Sequence, residues 1–142
     1  MHTIRQANLN DLNTLFVIEN RVFNNDPFAL SKSSFRYHLQ KNIIFGIEVD
    51  EKIAGYILWL KRKDSYRLYS LAVDNDFQGL GLASKLLENS FENLKDKKRF
   101  TLEVKVKNEK AIKLYEKFGF KVKKVLKDYY EDCDGFLMEM LR

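Results

Sequence analysis

The stretch Leu71-Ala72-Val73-Asp74-Asn75-Asp76-Phe77-Gln78-Gly79-Leu80-Gly81-Leu82-Ala83-Ser84 constrains this chain most, because the period of the apolar residues changes within it. Upstream, Tyr66 to Val73 carries bulky residues on both alternating faces, which predicts a central strand. Downstream, Leu82, Leu86, Phe91 and Leu94, with Ala83, Leu87 and Ser90 beside them, predict a helix from about Gly81 to Lys95. Gly79 and Gly81 remove side chains where a turning backbone must let a ligand come close. The helix start behind them presents unpartnered N–H groups and a partial positive charge. Such a turn suits a phosphate or pyrophosphate. Spacing alone is met equally well by a tight strand-to-helix turn that binds nothing. The segment is not a Walker loop, since no Gly-Lys-Ser/Thr follows, and a Rossmann fingerprint would need a third glycine and flanking parallel strands.

The rest of the chain supplies the layers around this turn. Thr3 to Ala7 reads as a first strand. Leu12, Leu15, Phe16, Glu19 and Phe23 follow helical spacing, with Asn10 or Asp11 as the expected cap. Asn24-Asn25-Asp26-Pro27 ends that helix, and Ser31 can cap a second one carrying Phe35 and Leu39. Ile43 to Val49 and Ile53 to Lys61 predict a hairpin turning at Asp50-Glu51-Lys52. Thr101 to Lys107 alternates, with Leu102, Val104 and Val106 on one face and Thr101, Glu103, Lys105 and Lys107 on the other. Ala111, Leu114, Tyr115 and Phe118 mark a helix stopped by Gly119, and Phe120 to Leu126 and Phe136 to Leu141 predict two last strands. The expected order is βααβββαβαββ: an α/β fold of one mixed, mostly antiparallel central sheet flanked by helices, in a single domain over residues 1–142.

Composition narrows the class. With 45% hydrophobic residues and a net charge of +5, the chain is a folded globular one and not a disordered one. A lone cysteine, Cys133, excludes an internal disulfide, and two histidines leave no structural zinc site, so no metal is expected. Ile53 to Leu60, the longest apolar run, is far below the ~20 residues that cross a bilayer. The N-terminal residues lack the apolar stretch of a signal peptide. A soluble, cytoplasmic protein without a membrane partner is the expectation. Nine lysines between Lys105 and Lys127 raise the question of an anionic partner: nucleic acid, a membrane surface or a polyphosphate-bearing small molecule. They are equally read as solvated faces of a helix and strands. A nucleic-acid partner is disfavoured because no RNA- or DNA-reading motif appears and the aromatics alternate as core residues do.

Gln78-x-x-Gly81-x-Ala83 resembles the pyrophosphate loop of the GNAT N-acetyltransferase superfamily, Gln/Arg-x-x-Gly-x-Gly/Ala. Leu102-Glu103-Val104, followed by Asn108, Ala111, Leu114-Tyr115 and Phe118-Gly119-Phe120, resembles its second block, and the element order agrees. The resemblance implies acetyl-CoA as cosubstrate and acetyl transfer to an amine. It implies that backbone groups around Leu71, Ala72 and Val73 bond the pantetheine arm. It further implies that the amides of Gly79, Leu80, Gly81, Leu82, Ala83 and Ser84 hold the pyrophosphate, with Asn108 as a cofactor contact. Tyr115 matches the residue that protonates the departing thiolate, and a phenol of pKa near ~10 suits that task. Asn108 is also a good N-cap for its own helix.

Glu103 is a carboxylate within the alternating strand, on the face opposite Leu102 and Val104. If that face borders a cleft, Glu103 can take a proton from an ammonium, directly or through water; if not, it pairs with Lys105 or a neighbouring strand. It matches the general base of the GNAT subfamily that acetylates protein N-termini, including the ribosomal-protein alanine N-acetyltransferases. Asp128-Tyr129-Tyr130 with Asp134-Gly135-Phe136-Leu137-Met138 resembles that subfamily's Tyr-Tyr…Asp-Ala-x-x-Met tail, although Gly135-Phe136 departs from it. Tyr129 and Tyr130 also fit as plain strand-end aromatics. The acceptor implied is a primary amine, foremost a protein N-terminal α-amine. A small-molecule amine, a lysine side chain, or a catalytically inert binding module on the same fold are the alternatives.

Overall fold

Asp50 and Glu51 both adopt left-handed backbone conformations, φ 51° and 69°, the pair of positive values that a two-residue hairpin turn demands. They join β2 (Ile43–Val49) to β3 (Lys52–Lys61), with Val49 opposite Lys52, so Lys52 belongs to the strand and not to the turn. The computed structural model describes residues 2–142. Its remaining strands are β1 (His2–Gln6), β4 (Ser65–Val73), β5 (Arg99–Lys105), β6 (Lys121–Leu126) and β7 (Gly135–Leu141). All seven form one sheet in the order β1-β2-β3-β4-β5-β7-β6. Every neighbouring pair is antiparallel except β4 with β5, and β4 is the middle strand. The helices are α1 (Leu12–Val22), α2 (Lys32–Lys41), α3 (Leu82–Asn93) and α4 (Glu109–Lys117), which reproduces the expected order.

Burial explains the layers. On β3, Tyr56 and Leu58 point to one face and Ile57 and Trp59 to the other, and all four are fully buried. The first face packs under α1 and α2 through Leu12, Leu15, Ile18 and Phe35. The second packs under α3 and α4 through Leu82, Leu86, Leu87 and Phe91, with Ala111, Leu114 and Phe118 at its margin. Four fully buried side chains of that size contribute roughly 1.5–3 kcal/mol each.

Three local expectations are corrected and one is refined. The first strand is one residue earlier than Thr3 to Ala7. Asp11, one of the two expected residues, does stand at the N-cap of α1, but its side chain makes no capping bond to that helix; the side-chain cap is Asn8, at the head of a short 3-10 turn (Leu9–Asp11), where Asn8 accepts from Asn10 N–H and Asp11 accepts in return from Asn8 N–H. Helix α3 is shorter at both ends than Gly81 to Lys95. Strand β5 ends at Lys105, because the chain turns there, with Asn108 N–H donating to Lys105 O at 3.0 Å; Val106 N–H bonds instead to Asp134 O at 3.1 Å. Ser31 caps α2 as expected, accepting from Ser34 N–H at 3.1 Å.

The lysine-rich span runs from the last residue of β5, Lys105, over α4 and the exposed edge strand β6, with the loops beside them. Lys105 and Lys107 pair with Asp132 at 3.3 and 3.7 Å, and Lys123 pairs with Glu139 at 3.1 Å. Lysines on β6 also discourage strand addition to an open sheet edge. No helix among the described residues is long and apolar enough to cross a membrane.

Candidate active site

The middle of the sheet comes apart. Opposite β3, Leu58 pairs with Ser70 and Trp59 with Leu68, so Tyr69 is an extra, bulged residue in β4. A bulge bends its strand and increases the local twist. Beyond it the parallel ladder stops: β4 pairs with β5 from Ser65 opposite Arg99 to Leu68 opposite Leu102, and no further. The last residues of β4, Leu71 to Val73, and of β5, Glu103 to Lys105, diverge, leaving main-chain groups on their facing edges without a ladder partner. The opening is the head of a groove of about 1160 Å³.

Its far wall is the glycine turn. Gly79 and Gly81 take φ values of 82° and 74°, the left-handed region that glycine occupies without cost. A side-chain carbon built on either would meet no atom within 4 Å, so the space above both is open. Gly81 is the N-cap of α3 and no side chain caps that helix, so its first N–H groups face the groove unsatisfied by the protein. This fits a pyrophosphate cradle. The Gln78 amide points back into its own loop, donating to Val73 O and Asn75 Oδ1, both at 3.3 Å, and so fixes the loop's path. Arg21 of α1 ties the same loop down through Asp74 at 3.0 Å.

Leu71, Ala72, Val73, Gln78, Gly79, Gly81, Leu82, Ala83, Ser84, Glu103, Asn108 and Tyr115 all border this groove. Leu80 does not; its side chain stands in solvent, 57% exposed, which leaves its backbone as its one route to a ligand. Asn108 caps α4, its Oδ1 accepting from Ala111 N–H at 3.2 Å, and its amide nitrogen is left to other partners. Tyr115 lies two turns further along α4. Burial alone pushes its phenol up to about 12, so the hydroxyl keeps its proton far above neutral pH.

Glu103 faces the groove from β5 and is bound on one oxygen by two donors. Arg67 of β4 ion-pairs with Oε1, and the Tyr129 hydroxyl donates to the same atom. Pairing across to the neighbouring strand is therefore realised, but with Arg67; Lys105 turns away to Asp132. Accepting from Tyr129 leaves that phenol's proton harder to lose, and its pKa rises. Tyr130 packs edge-on against Tyr129, ring centroids 5.0 Å apart, and burial pushes it up to about 12. Gly135 makes this aromatic pair possible: a side-chain carbon there would come within 2.9 Å of the Tyr130 ring and 3.4 Å of Tyr129. The departure at Gly135 thus has a steric reason. Tyr129 and Tyr130 border the groove and are more than strand-end aromatics.

Sequence reasoning missed Arg67 and the groove's second lip. Nothing in the alternation of β4 marks Arg67, because its partner Glu103, 36 residues further along the chain, is brought to it by the parallel register of β4 and β5. The lip is formed by the segment between α1 and α2, with Phe28, 70% exposed, and Leu30. A signal for it did exist: Glu19 is a carboxylate on the apolar stripe of α1.

The profile of the Acetyltransferase (GNAT) family matches residues 9–120. The chain belongs to the GNAT acetyltransferase family. Among GNAT relatives it is 31% identical to the [ribosomal protein bS18]-alanine N-acetyltransferase of Escherichia coli K12, over 95% of this chain and 91% of the relative. It is 34% identical to an N-alpha-acetyltransferase of Saccharolobus solfataricus, over 96% of this chain and 90% of the relative. The crystal structure of the Escherichia coli ribosomal-protein-S18-alanine N-acetyltransferase superposes with a TM-score of 0.90 at 29% identity, covering 99% of this chain and 94% of that one. The GNAT fold therefore extends beyond the matched profile to β1, β6 and β7.

Proposed function

We propose that this acetyltransferase moves an acetyl group from acetyl-CoA to the α-amine of a protein N-terminus, by direct attack of the neutral amine. The observation that carries the proposal is one groove holding an open glycine cradle at one end and Glu103 with Tyr129 and Tyr130 at the other, with Tyr115 bordering it too. Relatives that are named for N-terminal acetylation, matched over nine-tenths of their length, support the same acceptor.

Bound acetyl-CoA would supply an activated acyl thioester. The amides of residues 79–84 would hold its pyrophosphate, the free edge of Leu71–Val73 its pantetheine arm, and Asn108 would add a polar contact. Glu103 takes the proton that the acceptor ammonium must lose, directly or through one water. The amine nitrogen then forms its bond to the acyl carbon as the carbon–sulfur bond breaks, and Tyr115 gives its proton to the departing sulfur. A buried phenol serves as that acid because it is fully protonated at neutral pH.

The deprotonation favours an α-amine. With a pKa of about 8 it is roughly one-tenth neutral at pH 7, whereas a lysine near 10.4 is neutral about once in 2,500. One half-buried carboxylate is enough for the first. Cys133 sits in the 128–134 turn with no role in this scheme, and its free thiol fits a reducing, cytoplasmic setting.

The test is thiol release from acetyl-CoA with three acceptors: a peptide with a free N-terminal alanine, the same peptide N-blocked but carrying a lysine, and spermidine. Acetylation of the free N-terminus, located by mass spectrometry, is the expected result. Turnover confined to lysine or spermidine would overturn the acceptor assignment, and no thermal shift with saturating acetyl-CoA would overturn the cofactor site itself.

A further inference from the structure

Glu19 is a carboxylate in the core. It lies on the buried face of α1, 3% exposed, and no cation is among its bonded partners. Three donors from three different elements converge on it instead. Oε1 accepts from the Tyr56 hydroxyl of β3 and from Ser70 Oγ of β4 at 3.0 Å; Oε2 accepts from the backbone N–H of Leu30 at 2.9 Å. Tyr56 and Ser70 also touch each other, oxygen to oxygen, at 3.1 Å.

Each partner sits at a telling place. Ser70 follows the Tyr69 bulge, the feature that opens β4 away from β5. Leu30 closes the segment between α1 and α2, which forms the groove's second lip. The other hydrogen bonds of that lip are internal turns, Asp26 N–H to Phe23 O at 3.0 Å, Phe28 N–H to Asp26 Oδ1 at 2.8 Å and Ala29 N–H to Asp26 O at 3.1 Å, or bonds of its end residues to the flanking helices, Phe23 N–H to Glu19 O at 2.8 Å and Phe35 N–H to Ser31 O at 3.1 Å. They give the lip a shape without fastening it to the sheet. The bond from Leu30 to Glu19 does that.

We propose that Glu19 is a positioning residue for the acceptor: it latches the lip, through Leu30, to the same bulge that opens the cofactor end. The proposal rests on the acetyl-transfer reading above and adds to it a device by which the acceptor wall is set against the cofactor cleft. Latching needs an acceptor for a backbone N–H, which can only donate. It does not need the charge, since the hydroxyls of Tyr56 and Ser70 can either donate or accept. Two variants therefore part ways. Glu19→Gln can turn its oxygen to Leu30 and its amide to the two hydroxyls, and keeps the latch. Glu19→Leu has nothing to offer Leu30.

The experiment combines steady-state kinetics on a peptide with a free N-terminal alanine, acetyl-CoA binding, and amide hydrogen exchange across residues 23–31. In Glu19→Leu the KM for peptide should rise about tenfold, the size of one buried hydrogen bond. Its kcat should stay within about threefold and the acetyl-CoA Kd within about twofold, while the lip amides lose protection. Glu19→Gln should match the wild type in KM and in exchange. An equal KM rise in both variants would overturn the proposal in favour of a role for the charge, and an acetyl-CoA Kd rising in step with KM would reduce Glu19 to a core residue. Should Glu19→Leu fail to fold, the wild-type Leu30 amide decides: fast, loop-like exchange there sinks the latch. If the wild type acetylates no peptide at all, the function proposed above fails, and the exchange arm still reads the latch by itself.

Discussion

The two ends of the groove are built from different materials. The end proposed to take the cofactor is made of backbone: two left-handed glycines, the uncapped first turn of α3 and the unladdered edge of Leu71–Val73. The acceptor end is made of side chains that arrive from far apart in the chain, with Arg67, Glu103 and Tyr129 meeting at one carboxylate oxygen and Glu19 holding the lip. Backbone recognition depends on local conformation, which a dozen consecutive residues can dictate. Side-chain recognition depends on tertiary register, which no short run of residues can dictate.

The comparison can be broken most sharply at Tyr115, which in the proposed reaction would serve both ends. Tyr115→Phe keeps the ring packed on Phe120, 6.0 Å away between centroids, and removes the proton donor. The value of kcat should fall by about 10²–10⁴ with acetyl-CoA affinity unchanged. A loss seen in KM alone would mark a binding residue instead. The acceptor end is tested next by Glu103→Gln. Its rate deficit should be about ten- to a hundredfold at pH 6 and should close as pH nears 8, where solvent deprotonates an α-amine unaided. A deficit that persists until pH 10 would reassign the acceptor to a lysine or polyamine.

At the cofactor end, Gly81 separates conformational strain from steric filling. Asparagine tolerates the left-handed region better than other non-glycine residues, so Gly81→Asn should fold and yet fill the open cradle. The acetyl-CoA Kd, measured by calorimetry, should rise about tenfold or more, as it would on losing a cluster of amide contacts. Unchanged affinity would detach the glycine turn from phosphate binding. A smaller effect is expected at Gly135→Ala, where no left-handed strain intervenes and the added carbon meets the Tyr130 ring at 2.9 Å. Peptide KM should rise a few-fold while acetyl-CoA Kd holds, the mirror image of the Gly81 result.

The smallest expected effect is on stability in alkali. Burial, the largest cause in each case, pushes Tyr66, Tyr115 and Tyr130 up to about 12. Folding therefore favours the neutral phenols. Their contribution is complete below about pH 10, where the unfolded chain keeps its tyrosines protonated too, and is lost as pH rises from about 10 to 12. Melting temperatures measured across that window should fall, and a flat profile would contradict the burial of these rings.

How legible all this was follows from the same contrast. The element order could be read because periodicity is local: β3 is buried on both faces and reads as an apolar run, and the glycine turn announces itself by spacing. Errors fell where a tertiary partner overrode local pattern. Strand β5 was read two residues too far because Val106 and Lys107 continue the alternation, whereas the chain's turn toward Asn108 decides where pairing stops. Asp11 stands at the N-cap of α1 as its residue type predicts, yet its carboxylate does not cap that helix because it is spent on Arg5, with which it shares two hydrogen bonds at 2.8 and 2.9 Å. Glu103 was found through resemblance and alternation, but its binding by Arg67 needed the parallel register of β4 and β5, which no single strand encodes.

That register has a mechanical side. The sheet is in effect two leaves, β1 to β4 and β5 to β7, sewn together over four residue pairs at one end and unstitched at the other. A ligand lying in the unstitched half would touch both covers and act as the missing thread. The empty protein should then flex about its short seam like a book bound along half its spine, and the filled one should move as a single board.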